Sequence, residues 1–224
     1  MKYQPIITIV LFFNFFVQNT YSQSKENGQT YNPDGIEMVY VDSGKIGRYA
    51  VKGFYIGKYE VTQKQWEAVM GDNQSKIKGD SLPMGNVSWE DVQEFFARLN
   101  KQTGKNYRLP TETEWEYAAK GGSNNDTYEY AGSDNLDEVA WNRENSGIIG
   151  MRPVGTKKPN SLGIYDMSGN VREWCIDCFD SECTDRAIRG GSWYDHPQLC
   201  NVTYRGYVSP DSRARYYGFR VVLP

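Results

Sequence analysis

The sequence predicts an α+β domain with about three main helices, few regular strands and long loops. Three segments combine a Ser or Thr cap with apolar residues at helical spacing, which is typical of amphipathic helices. Short runs of aromatic and β-branched residues lie before and after them and are typical of strands. Hydrophobic residues make up only 39% of the 224 residues and aromatics 14%. We therefore expect one core of large rings held between irregular loops.

Residues 1–22 are predicted to be a signal peptide. Lys2 precedes an apolar run over residues 6–17, which is too short to span a bilayer, and small residues at positions 20 and 22 precede the predicted cleavage site. We expect an exported protein, periplasmic or extracellular, that does not span a membrane. Export places its cysteines in an oxidising compartment, where disulfides are favoured.

A polar segment over residues 23–35 is expected to be a flexible lead to a single domain over 36–224. The domain is expected to begin with a strand over Ile36–Val41. A second predicted strand runs over Val51–Val61, with a break at Gly57.

Three capping boxes predict where the helices begin. They are Thr62 with Gln65, Ser88 with Asp91, and Thr111 with Glu114. Glycines 71, 104 and 121 are the expected helix ends, because glycine readily adopts the left-handed conformation of a C-terminal cap.

The second half of the domain shows less periodicity. Ser123–Asn160 is expected to be a long loop, since it is polar with scattered aromatic residues. Later strands are predicted over Ala187–Arg189, around Val202–Tyr207 and over Phe219–Leu223.

The segment Leu162–Trp174 concentrates the residues that could carry chemistry. Asp166 and Glu173 lie on either side of a bend at Gly169, and carboxylates beside bent backbone supply the hard oxygen ligands that calcium takes. The alternative is a tight turn with exposed acids and a core tryptophan.

Composition excludes several function classes. The net charge of −3 implies no basic surface suited to nucleic acid. His196 is the only histidine, so a histidine-cluster metal site is excluded and a Ser-His-Asp hydrolase would depend on that residue.

Six blocks in a fixed order carry a resemblance to a known family. They are Gly53–Thr62, Asn86–Trp89, Arg108–Ala119, Leu162–Trp174, Arg189–Trp193 and Gly218–Val222. In this order the blocks resemble the formylglycine-generating-enzyme family, also called the sulfatase-modifying-factor family. The resemblance runs from about Ile36 to Val222 and implies a C-type-lectin-like α+β fold.

Active members of this family oxidise a sulfatase cysteine to formylglycine with oxygen and Cu(I). The resemblance places their two copper-binding cysteines after a serine that corresponds to Ser192. Here Asp195 stands at the first position and Cys200 at the second. Because Cu(I) selects soft thiolates, Asp195 argues against copper and against the oxidase activity. Ser192 and Cys200 remain catalytic candidates by resemblance alone.

Four cysteines allow three disulfide pairings. Family members without the copper pair imply a Cys175–Cys200 bridge, which leaves Cys178–Cys183 as a second one. A zinc site using Cys175 and Cys178 is an alternative, although the sequence has no second Cys-x-x-Cys motif.

The resemblance also implies calcium at the central segment. Its ligands would be the side-chain oxygens of Asp166 and Glu173 and the backbone oxygens of Gly169 and Val171. A second family calcium site would fall near Trp141–Gly147, where the match is too loose to assign residues.

The loop from Trp193 to Tyr217 is rich in Tyr, Arg, Asp and Asn, the composition of many binding surfaces. Its alternative is that these tyrosines are core or strand-face residues. Lectin-like proteins related to the family bind ligands with this region, which favours a surface for a protein or glycan. Its predicted members are Tyr194, Asp195, His196, Asn201, Tyr204, Tyr207, Arg215 and Tyr216.

Two function classes follow. The first is an exported binding or scaffold module stabilised by calcium and disulfides. The second is an enzyme, either a formylglycine-generating oxidase or an unrelated activity that uses Ser192, Asp195, His196 and Cys200. The aspartate at position 195 favours the first.

Overall fold

The computed structural model describes residues 26–31, 34–148 and 150–224. The predicted signal peptide over 1–22 lies outside the described residues. Within them, no helix has both the length and the apolar character needed to cross a membrane.

One antiparallel sheet joins the two ends of the domain. Its strands, in spatial order, are β1 (Thr30–Tyr31), β2 (Met38–Val41), β5 (Phe54–Gly57) and β10 (Val222–Leu223). Ile56 in β5 pairs with Val39 on one side and with Val222 on the other. β1 lies inside the segment that was expected to be a flexible lead, and its pairing with β2 orders that part of it.

A hairpin and a second sheet complete the β structure of the described residues. The hairpin is β3 (Gly44–Ile46) with β4 (Tyr49–Val51), and the second sheet, in spatial order, is β8 (Gly206–Val208), β7 (Arg186–Arg189), β6 (Arg172–Cys178) and β9 (Tyr217–Gly218). β6 pairs antiparallel with β7 and parallel with β9. This sheet therefore brings the central segment beside the end of the chain.

The described residues contain three main helices and a one-turn fourth. They are α1 (Gln63–Met70), α2 (Trp89–Thr103), α3 (Glu112–Ala119) and α4 (Leu136–Val139). All three predicted capping boxes are confirmed. α3 is capped at Lys120, one residue before the predicted glycine. Short 3₁₀ turns cover Gly122–Asn124 and Pro197–Cys200.

The core lies between the helices and the two sheets. One cluster of buried side chains surrounds Trp115 on α3, and a second contains Trp174 on β6 with the apolar stripe of α2. Both indoles are fully buried. The predicted α+β architecture with long loops is therefore confirmed, and its packing fixes the central segment against the loop that follows β7.

Candidate functional site

The central segment and the loop after β7 are joined by backbone hydrogen bonds. Gly169 N donates to the Gly190 carbonyl at 2.8 Å, and Trp193 N donates to the Asn170 carbonyl at 2.9 Å. Gly169 has φ of 81°, and a Cβ there would lie 2.3 Å from the Trp141 carbonyl oxygen. Only glycine fits this bend, because a side chain there would collide with the backbone at Trp141.

Asp195, at the position that the resemblance assigns to the first copper cysteine, is bound by its neighbours. Arg172 Nε donates to Asp195 Oδ2 at 2.6 Å, and Arg172 Nη2 donates to the other carboxylate oxygen. The Ser192 hydroxyl donates to Oδ2 at 2.6 Å. Asp195 is buried, so this bidentate ion pair is a fixed part of the structure. Arg172 was missed by sequence reasoning, because the two partners are 23 positions apart.

Cys200 is buried directly beneath the glycine turn. A Cβ on Gly191 would lie 2.8 Å from Cys200 Sγ, so the turn covers the sulfur. Burial, followed by the negative charge of Asp195, raises the pKa of the Cys200 thiol to about 12. A thiol with this pKa is protonated at neutral pH and is a poor ligand for a soft metal and a poor nucleophile.

The predicted Cys175–Cys200 bridge is wrong, since both thiols are free and buried, whereas Cys178 and Cys183 form a disulfide. All four cysteines lie in the described part of the chain. Cys175 packs in the cluster around Trp115, and Cys200 packs in a separate cluster with α4. The two side chains therefore belong to different parts of the core. Burial also raises the pKa of the Cys175 thiol well above its usual value.

His196 is not placed for a Ser-His-Asp arrangement. Its Nε2 lies 3.2 Å from Arg143 Nη1 at the surface, while the Ser192 hydroxyl donates to Asp195. Among the described contacts, the serine is hydrogen-bonded to the carboxylate and not to the imidazole. The geometry that such hydrolases need is therefore not formed.

Part of the predicted ligand-binding surface forms one aromatic cluster. Tyr194 and Tyr216 stack with ring centroids 5.2 Å apart and planes 8° from parallel. Trp193 lies edge-on to both rings, and Arg215 lies 5.6 Å from the Trp193 ring. Tyr194 is 53% exposed, so the stack offers a rigid apolar surface to a ligand.

The other members of that surface lie elsewhere. Tyr207, on β8, is 59% exposed and packs on Phe179 at 4.5 Å. Asn201 contacts Glu129, and Tyr204 N donates to the Asn201 carbonyl at 3.0 Å. The eight predicted residues are therefore not one continuous patch, and Asp195 lies beneath the surface.

Glu173 is the acid of a buried ion pair. Arg220 Nη2 and Nε donate to its two carboxylate oxygens at 2.6 and 2.7 Å, and Trp115 Nε1 donates at 2.7 Å. Glu173 and Arg220 are both fully buried. The alternative of exposed acids in this segment is therefore wrong, and Arg220 neutralises Glu173.

Two further acids, Glu60 and Asp166, are buried beside this pair. Glu60 accepts hydrogen bonds from Val171 N at 2.9 Å and from Asn170 Nδ2 at 2.6 Å. Desolvation, followed by the charge of Asp166, raises the Glu60 pKa well above its usual value. Glu60 was missed by sequence reasoning; its signal was a single acid within an apolar and aromatic run.

Asp166 has a carboxylate oxygen without a donor among the described residues, whereas both oxygens of Glu173 accept hydrogen bonds. Asp166 Oδ2 accepts from Gly155 N at 2.7 Å, but the buried Oδ1 has no partner among the described residues. The predicted calcium set includes both acids, and both oxygens of Glu173 accept hydrogen bonds from Arg220. Within the described residues no group of three or more His, Cys, Asp or Glu side chains is arranged to hold a metal. Calcium held by Asp166, Glu173 and the backbone oxygens of Gly169 and Val171 stays a prediction.

A cavity of about 300 Å³ opens beside the aromatic cluster. Its lining combines apolar side chains with cationic ones, and its principal members are Ile77, Met151, Ala214, Lys76, Arg213 and Arg215. Met151 packs in the same cluster as Trp193, so the cavity and the aromatic cluster share a wall. Only Arg215 of these residues was in the predicted surface; Lys76, Ile77 and Met151 come from other loops of the chain.

Comparison with known proteins places these features in a family. Residues 27–224 match the family described as the sulfatase-modifying factor enzyme 1-like domain. The chain is 39% identical to "Chaperone protein LppX" of Paenibacillus barcinonensis, over 75% of this chain and 79% of that protein. It is 33% identical to "Formylglycine-generating enzyme" of Streptomyces coelicolor, over 80% of this chain and 63% of the enzyme. Among solved structures, PvdO from Pseudomonas aeruginosa superposes with a TM-score of 0.76 at 26% identity, covering 89% and 99% of the two chains.

Proposed function

Since this chain belongs to the sulfatase-modifying factor family, we propose that it is a protein-binding module of that family and not a formylglycine-generating oxidase. The proposal places it outside the cytoplasm, in the periplasm or the extracellular medium, where the Cys178–Cys183 disulfide is stable. Its bound partner is another protein, held on the surface around Trp193.

The Asp195–Arg172 ion pair is the observation that carries this proposal. An oxidase of this family needs two thiolates for Cu(I), and the first of those positions holds a hard carboxylate here. That carboxylate is already neutralised by Arg172 and hydrogen-bonded by Ser192. The remaining thiol, Cys200, is buried with its pKa raised to about 12.

The relatives support a binding role. LppX, at 39% identity, is named as a chaperone, and a chaperone acts by contacting other proteins. The exposed Tyr194–Tyr216 stack gives this chain a rigid aromatic surface for such contacts. The family's oxidase activity remains the second candidate, since a formylglycine-generating enzyme is 33% identical to the chain.

The first experiment tests the oxidase. A sulfatase-type peptide bearing Cys-x-Pro-x-Arg is incubated with the protein, copper and oxygen, and its mass is followed for conversion of the thiol to an aldehyde. We expect no conversion. Aldehyde formed at a rate proportional to protein concentration would refute the proposal and favour the oxidase.

The second experiment tests the binding role. A denatured secreted hydrolase is diluted into buffer with the protein, and its aggregation is followed by light scattering. We expect reduced aggregation and loss of the effect in Tyr194→Ala/Tyr216→Ala. Tyr49→Ala is the matched control, because Tyr49 is 54% exposed but lies on the β3–β4 hairpin. Unchanged aggregation with the wild-type protein, or equal loss in the control, would count against a binding role for this surface.

A further inference from the structure

Three arginines around Trp193 have no carboxylate partner among the described residues. Arg143 lies against the His196 ring, and Arg152 donates to a backbone carbonyl at 2.7 Å. Arg215 lies 5.6 Å from the Trp193 ring. Arg143 and Arg215 are exposed. We call these three arginines, with Trp193, the arginine face.

Other arginines in the same region do have carboxylate partners. Arg172 is paired with Asp195, and Arg213 makes a bidentate pair with Asp91 at 2.7 and 2.8 Å. The whole chain carries a net charge of −3. An unneutralised group of cations on an acidic protein is a local positive site, and its field favours an anionic ligand.

Two buried donors in the arginine face also lack an acceptor. Trp193 Nε1 and Arg152 Nε are buried and have no hydrogen-bond partner among the described residues. The two residues are held together by Asn170, whose side-chain oxygen accepts from Arg152 N and whose carbonyl accepts from Trp193 N, both at 2.9 Å. Buried donors without acceptors destabilise a protein. An acceptor group supplied by a ligand would offset that cost.

The adjoining cavity adds an apolar contact to this charge. Ile77, Met151 and Ala214 contribute apolar surface to its lining. Its ionisable lining residues are Lys76, Arg215 and Arg213, of which Arg213 is paired with Asp91. The volume of about 300 Å³ lies at the lower end of the range for ligand pockets. It is suited to one or two side chains of an extended chain.

We propose that the arginine face binds an extended acidic peptide segment of a partner protein, with an apolar side chain in the adjoining cavity. Carboxylates of the peptide pair with Arg143 and Arg215, which present planar forks suited to them. The Tyr194–Tyr216 stack supports the peptide between the two charges. This assignment rests on the proposed binding function and names its ligand class.

The apolar lining favours a peptide over an anionic glycan. A polyuronate could satisfy the arginines, but it carries no apolar group to contact the part of the cavity lining formed by Ile77, Met151 and Ala214. A peptide that alternates acidic and aliphatic residues can contact both the arginines and the apolar lining, because successive side chains of an extended strand point to opposite sides.

The test uses a short fluorescein-labelled peptide of alternating Glu and Leu, followed by fluorescence anisotropy. Matched peptides of Lys with Leu and of Glu with Ser separate the contributions of charge and of apolar contact. Arg215→Glu is compared with Arg48→Glu, because Arg48 is also exposed, lies over a tyrosine ring and forms no ion pair in the described structure, but is on the β3–β4 turn. Charge reversal at Arg215 replaces an attraction by a repulsion and should weaken binding about tenfold.

We expect the Glu–Leu peptide to bind in a salt-sensitive manner, the two other peptides to bind more weakly, and Arg48→Glu to match the wild type. Equal binding of the Lys–Leu peptide, or unchanged affinity in Arg215→Glu, would overturn the proposal. A polyuronate that binds when the Glu–Leu peptide does not would reassign the face to a glycan. If the protein suppresses aggregation but ignores the Glu–Leu peptide, the peptide assignment fails and the binding function survives.

Discussion

Replacement of Arg220 should reveal how far the buried charges at the centre of the domain depend on one cation. Arg220 neutralises Glu173 through two hydrogen bonds, and it also donates to the Gly57 carbonyl at 2.9 Å and to the Tyr165 carbonyl at 3.0 Å. These contacts connect β5, the central segment, β6 and the end of the chain. A single side chain therefore ties together parts of the domain that are far apart in the sequence.

Arg220→Met should cost about 5–7 kcal/mol of unfolding free energy. Leaving Glu173 buried without its partner costs about 3–5 kcal/mol, and the two backbone carbonyls lose donors worth about 1 kcal/mol each. Because a domain is stable by only about 5–15 kcal/mol, this variant should be close to unfolding. Arg220→Lys keeps the charge but not the planar fork and should cost about 1–3 kcal/mol.

The double variant Glu173→Gln/Arg220→Met separates the cost of an unpaired buried charge from the cost of the lost Arg220 packing. It removes the unpaired charge, so it should be more stable than Arg220→Met by about 2 kcal/mol or more. Urea denaturation followed by tryptophan fluorescence, in the presence of a chelator, measures all three variants. A cost below about 1 kcal/mol for Arg220→Met, as for an exposed ion pair, would refute the reasoning, as would a double variant no more stable than the single one.

Three further predictions concern titration, metal and thiols. Burial raises the pKa of Asp166 from 3.8 to about 6. Between these pH values the folded protein holds a proton that the unfolded chain releases. The free energy of unfolding should therefore fall as pH rises through this range, by about 3 kcal/mol in total. With a chelator present, Asp166→Asn should remove this pH dependence and be more stable than the wild type at pH 8, as measured by urea denaturation at several pH values. A pH profile of Asp166→Asn that runs parallel to that of the wild type would contradict the assignment. If calcium binds at Asp166, added calcium should raise the melting temperature of the wild type and not of Asp166→Asn, whereas equal shifts would exclude the site. A thiol reagent should label Cys175 and Cys200 only after unfolding, and rapid labelling of the native protein would show that they are accessible.

The helices were predictable because their start signals are local. Each capping residue bonds to a backbone N–H three positions ahead, for example Thr62 to Gln65 and Ser88 to Asp91, so the sequence window contains the whole interaction. β6 was not predicted as a strand, because its state depends on β7 and β9, which follow it in the chain. The hairpin formed by β3 and β4 was missed for a different reason, because strands of three residues each give only a weak local signal.

The residues of the site were predictable, but the side chains that contact them were not. Asp166, Glu173 and Asp195 were all identified as important from their positions. Their environments depend on Arg220 and Arg172, which come from other elements. The pairing of the cysteines likewise depends on which part of the core each one enters, and a resemblance to relatives does not contain that information.

Asp195 connects the position that the family resemblance assigns to a copper cysteine with the shape of the surface above it. Its partner Arg172 begins β6, and Arg172 N donates to the Tyr216 carbonyl at 2.8 Å while its guanidinium lies 5.9 Å from the Tyr216 ring. Tyr194 is the residue directly before Asp195 in the loop. The ion pair therefore fixes both rings of the Tyr194–Tyr216 stack, one through the loop and one through the strand. A thiolate at position 195 would leave Arg172 without its bidentate partner, so a cysteine at the position that the family resemblance assigns to copper would also loosen the aromatic surface.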